Sequence, residues 1–106
     1  MSEELLTEIR KLEVRLQEFI EAEQKAMESL RKWIDKLKDF HDFVSKNKEK
    51  PELTEKILKL RLESIKAFRD ALKEVSKAEH EKSHLLESYG TILLLLEEQL
   101  QGSKKA

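Results

Sequence analysis

The chain has 106 residues, of which 41% are charged and 6% aromatic, with two glycines, one proline and no cysteine. So few chain breakers exclude a many-stranded β fold, which needs a turn after every strand. The missing thiols exclude a disulfide framework and zinc–thiolate chemistry. The net charge of −1 hides an uneven spread: −4 over residues 1–30, +5 over 31–77 and −2 over 78–106. A hydrophobic share of 39%, mostly leucine, is too high and too regularly placed for a disordered tail.

The first element is predicted as a helix over about residues 3–46. From Leu5 to Val44 the apolar residues alternate spacings of three and four, the signature of a helix with one apolar stripe. With Ile9 at heptad position a, the a sites are Ile9, Leu16, Glu23, Leu30, Leu37 and Val44. The d sites are Leu5, Leu12, Phe19, Ala26, Trp33 and Phe40, and the neighbouring e sites Leu6, Ile20, Met27 and Ile34 are apolar too. Such a stripe is wider than a single neighbouring helix covers.

A turn is predicted over about residues 47–50. Asn47 can adopt the left-handed conformation that ends a helix, and the lysines around it suit the negative helix end. Pro51 then fits the first turn of the next helix, where its missing N–H costs nothing.

The second helix is predicted over about residues 51–101, with Gly102 as its stop and a short tail over 102–106. Its a sites are Leu58, Ile65, Leu72, Glu79, Leu86, Leu93 and Leu100; its d sites are Arg61, Phe68, Val75, Lys82, Tyr89 and Leu96. Apolar g sites, among them Leu85 and Ile92, widen this stripe as well. The apolar pattern lapses at Glu23 and at Glu79 to Lys82, where either helix could break. One short turn between two long helices predicts a single all-α domain over residues 1–106, a long antiparallel coiled-coil-like hairpin. In that register Trp33 meets Ile65, and Leu30 meets Phe68.

Stripes this wide are expected to complete a four-helix bundle by homodimerisation, or with a helical protein partner. Ile20, Met27, Ile34, Leu85, Ile92, Leu95 and Leu96 are the residues expected to meet the additional helices. The expected function is therefore that of a non-enzymatic interaction or assembly module: an adaptor, a chaperone-like protein or a structural subunit. No catalytic or cofactor-binding residue is assigned and no cofactor is expected.

One string invites a different chemistry. His80-Glu81-Lys82-Ser83-His84 matches H-E-x-x-H, in which two imidazoles four apart hold zinc and the glutamate serves as base. In the heptad register these residues fall at b, c and f, the side expected to face solvent, and no third ligand follows nearby. Glu81-x-x-His84 also matches half of a di-iron bundle motif, with Glu13 and Glu18 at about the right level on the first helix. A metal-binding bundle, or a metal-dependent enzyme using His80, Glu81 and His84, is thus the alternative expectation. A further alternative is binding of an anionic surface through the tip lysines Lys46, Lys48, Lys50, Lys56 and Lys59. That tip lacks stacking aromatics and is interleaved with acids, so nucleic acid is not an expected partner. The longest apolar run, Ile92 to Leu96, is far shorter than the ~20 residues that span a bilayer. With an acidic start unlike a signal peptide, a cytoplasmic protein without membrane insertion is expected.

Overall fold

A computed structural model describes residues 2–47 and 54–105. Two helices make up the described fold: α1 (Glu3–Asn47) and α2 (Thr54–Lys105). With 45 and 52 residues, they are roughly 67 and 78 Å long at ~1.5 Å per residue. They pair as the expected antiparallel hairpin, and both run unbroken through the segments around Glu23 and Glu79 to Lys82. Most of the expected turn, and the helix start at Pro51, fall on residues 48–53, outside those described.

Two expectations about helix ends are corrected. Asn47 is the last residue of α1 and does not take a positive φ. Its side chain does the capping instead, Nδ2 donating to the Phe43 carbonyl at 2.9 Å. Gly102 does not stop α2, which continues to Lys105 with no glycine in the left-handed region. At the other end, Ser2 precedes the first helical residue. Its Oγ accepts a bond from the Leu5 N–H at 3.2 Å, satisfying one of the donors that a helix start leaves open.

Helix contacts gather into two units, residues 1–22 with 77–106 and residues 23–76. In the first, Leu5, Ala78 and Ile92 are buried, and Gln99 Nε2 donates to Ser2 Oγ at 2.8 Å. In the second, Ala26, Ser64 and Ala71 are buried. There Trp33 packs on Phe68 with ring centroids 4.7 Å apart at 50°, and Lys36 reaches Glu63 at 3.7 Å.

These contacts correct the predicted register of α2. Trp33 meets Phe68 rather than standing level with Ile65. The residues of α2 turned towards α1 recur through Ile57, Ser64, Ala71, Ala78, Leu85 and Ile92, one position earlier than the expected a sites. The physical reason is size. Alanine and serine let two helix backbones approach closely, whereas the bulky leucines one position later would hold them apart.

Candidate interaction surface

In each helix four residues of the shared seam are followed directly by an apolar residue that the hairpin leaves uncovered, whereas Ser64 is followed by the half-buried Ile65 and Ala78 by Glu79. Along α1 the pairs are Leu5 and Leu6, Phe19 and Ile20, Ala26 and Met27, Trp33 and Ile34. The first of each pair is buried or half-buried, while the second is between 41% and 54% exposed. Along α2 they are Ile57 and Leu58, Ala71 and Leu72, Leu85 and Leu86, Ile92 and Leu93, with the second residues between 49% and 60% exposed. A step of one residue turns about 100° around the helix axis. Each helix therefore carries two apolar stripes about a quarter-turn apart, one used within the hairpin and one open.

The direction of that turn decides where the open stripes lie. Both are displaced in the same rotational sense along the chain, and the two helices run in opposite directions. Viewed from one end, a clockwise displacement on α1 and a counter-clockwise one on α2 bring both stripes to the same side. This holds within each unit taken by itself. Residues 1–22 with 77–106 present Leu6, Ile20, Leu86 and Leu93 together, and residues 23–76 present Met27, Ile34, Leu58 and Leu72 together. A helix in a square four-helix arrangement has two neighbours about 90° apart around its axis, close to the separation found here.

The residues expected to meet further helices divide accordingly. Ile20, Met27, Ile34 and Leu96 are exposed, Leu85 and Leu95 are half-buried, and Ile92 is 6% exposed inside the hairpin seam. Ile92 is thus a core residue of the pair and not an edge residue. Leu16 on α1, one turn before Ile20, and Tyr89 and Leu100 on α2 also lie open, as neighbours along the second stripes of the two helices.

The histidine motif is placed differently from expectation too. Glu81 does not face solvent: it is half-buried on the seam side of α2, and its Oε2 is buried without a hydrogen-bond partner. His84 is half-buried. Its Nε2 lies 3.0 Å from Nε2 of the exposed His80, the rings meeting edge to face with centroids 4.5 Å apart. Glu87 Oε2 stands 3.9 Å from His84 Nδ1. Glu13 and Glu18 are not gathered with them: no group of three or more His, Cys, Asp or Glu is placed to hold a metal ion among the described residues. Glu18 instead pairs with Arg15 at 3.5 Å.

Away from the open stripes the surface is mainly polar, with Val14, Leu62 and Leu94 as separate exposed apolar residues. A shallow groove in residues 23–76 is lined by both signs of charge, including Lys32, Lys36, Asp39, Glu63 and Asp70. At the tip, Lys46, Lys56 and Lys59 are exposed, while Lys48 and Lys50 lie outside the described residues. No described helix is long and apolar enough to cross a membrane.

No family model, curated protein or solved structure matches the chain. The arrangement itself defines a helical hairpin in which each unit has one apolar side left open. Two features of it went unread in the sequence. The Ser2 cap is signalled by a serine directly before a Glu-rich helix start. The small-residue seam is signalled by Ser64, Ala71 and Ala78, which recur every seven residues.

Proposed function

We propose that this protein is a non-enzymatic helical interaction module that works through the open apolar side of its hairpin. The observation that carries this reading is the one-residue offset between covered and open stripes, present in both helices. Isolated surface leucines need no explanation, but exposed apolar residues recurring on one side of both helices, interrupted at Glu13 and Glu79, are the mark of an interface. Adaptors, chaperone-like proteins and structural subunits share this use of a helix face. The test is crosslinking in cells of origin followed by mass spectrometry. Wild type should carry helical partners that are lost when Leu16→Glu and Leu72→Glu are combined. The off-stripe changes Val14→Glu and Leu94→Glu should retain them. Equal partner recovery from all of these variants would overturn the reading.

A specific observation favours a second, metal-binding activity at His80 and His84. Two metal–nitrogen bonds of about 2.0–2.1 Å set their nitrogens about 3.4 Å apart at a tetrahedral angle, and about 2.9 Å apart at a right angle. The Nε2 separation of 3.0 Å is that of a hydrogen bond between the two rings, and it falls in the same range, so an ion of the nitrogen-preferring kind, Ni²⁺ or Cu²⁺, could replace the shared proton with little movement. A carboxylate beside the other ring nitrogen of a ligating histidine supports that role, and Glu87 stands there. Calorimetry on tag-free protein should show one Cu²⁺ or Ni²⁺ bound per chain, lost in both His80→Ala and His84→Ala. Binding unchanged in either variant would refute it.

A further inference from the structure

We infer that the partner on the open side is a second copy of this chain, docked antiparallel. Residues 1–22 with 77–106 of one copy then lie over residues 23–76 of the other. This rests on the interaction reading above and adds the identity and direction of the partner. Three observations carry it.

The first is what the open side lacks. Each helix needs one more neighbour about a quarter-turn from the one it has, so the pair needs two more helices with apolar stripes. A second copy supplies two such helices, already paired and already carrying the matching side. The resulting twofold contact uses the same surface on both partners, which is how most soluble oligomers close.

The second is area. A stable interface takes about 800 Å² from each partner. The open stripes alone, at about half exposure over more than a dozen large side chains, supply on the order of 1,000 Å² per copy.

The third is charge, and it sets the direction. Residues 1–22 with 77–106 carry eleven acids and seven bases, a net −4; residues 23–76 carry fourteen bases and eleven acids, a net +3. Parallel docking stacks negative on negative and positive on positive. Antiparallel docking sets each negative unit against a positive one, and complementary potentials across an interface select its register.

The absence of cysteine makes the test direct, since single labelling sites can be introduced on the full chain. Sedimentation equilibrium should give twice the 12.5 kDa chain mass at micromolar concentration. Combining Leu16→Glu with Leu72→Glu should raise the dissociation constant on the order of 100-fold with helicity kept. Should that variant lose its helical circular dichroism, Met27→Gln is read instead and should weaken the dimer on the order of tenfold. For direction, fluorescent labels are placed at Glu4→Cys and Asp42→Cys, two exposed positions, one in each unit. Transfer between a copy labelled at 4 and a copy labelled at 42 should be strong, and transfer between two copies both labelled at 4 weak. Raising salt from low to high should weaken the dimer roughly three- to tenfold.

Strong transfer between two copies both labelled at 4 would overturn the antiparallel arrangement. A monomer at 100 μM (on the order of the tightest useful threshold for a dimer of this area) would overturn the second copy as occupant. Binding of the dye ANS then separates the two proposals. A monomer that binds dye, and loses it with Leu16→Glu and Leu72→Glu, leaves the interaction reading standing. A monomer that takes up no dye removes both.

Discussion

Residues 23–76 and residues 1–22 with 77–106 draw on the same two helices and the same spacing of three and four, yet they are joined by different chemistry. The first unit of this comparison relies on an aromatic pair, Trp33 on Phe68, over a floor of Ala26, Ser64 and Ala71. Its cross-helix ion pair, Lys36 with Glu63, has side chains 45% and 38% exposed, so it adds little. The second unit relies on aliphatic contacts at Leu5 and Ile92 and on the Ser2–Gln99 hydrogen bond. It also accommodates a carboxylate oxygen, Glu81 Oε2, with no partner. The contrast teaches that the seam combines small residues, Ala26, Ser64, Ala71 and Ala78, with large ones that differ between the units. Within that pattern, one unit adds an anchor and the other tolerates a defect.

The largest effect is expected where the anchor is removed. Trp33→Ala should lower the unfolding free energy by about 3 kcal/mol, through lost packing and the lost ring contact. Urea titration followed by circular dichroism measures it, and a loss below about 1 kcal/mol would mean the aromatic pair is not what distinguishes residues 23–76. Removing the defect should act the other way. Glu81→Leu replaces an unpartnered buried oxygen by a side chain suited to the seam, and should raise stability by about 1–2 kcal/mol. A destabilised variant would show that this carboxylate is held by an interaction in solution. The smallest change sharpens the picture of the same unit. A Cβ at Gly90 meets nothing within 4 Å, so the glycine gives no room to another part of this chain. Gly90→Ala should raise the thermal midpoint, in line with a gain of up to ~1 kcal/mol from helix propensity. A lowered midpoint would show that another molecule packs against that position.

The helical hairpin was legible in the sequence because two long apolar repeats and a single proline leave few alternatives. The division of labour between stripes was not. Hydrophobic periodicity reports that a face is apolar, and two faces one residue apart share the same period. Large residues such as Leu58, Leu72, Leu86 and Leu93 made the stronger signal and were assigned to the seam, whereas Ala71 and Ala78 occupy it. On α1 the d sites were placed correctly, since Leu5 and Ala26 are buried and Trp33 packs on Phe68. The misplaced register of α2 also explains Glu81, read as solvent-facing and found on the seam side. Helix ends were missed for a different reason. Asn47 and Gly102 were assigned the backbone conformations their residue types permit, but permission is not a requirement, and both stay helical.

The single-residue offset between the two stripes also limits how this gene can change length. An insertion or deletion of one residue within either helix rotates everything beyond it by about 100°. The two lines then turn together, so that a deletion carries the leucine line into the seam and an insertion carries the alanine line onto the open side, although no side chain has changed its chemistry. After a deletion, leucines stand where small residues belong; after an insertion, charged residues such as Glu63, Asp70 and Lys77 do. A gain or loss of seven residues restores both lines to within about 20°. Descendants of this chain should therefore vary in length by sevens, or by three and four in compensation, and almost never by one.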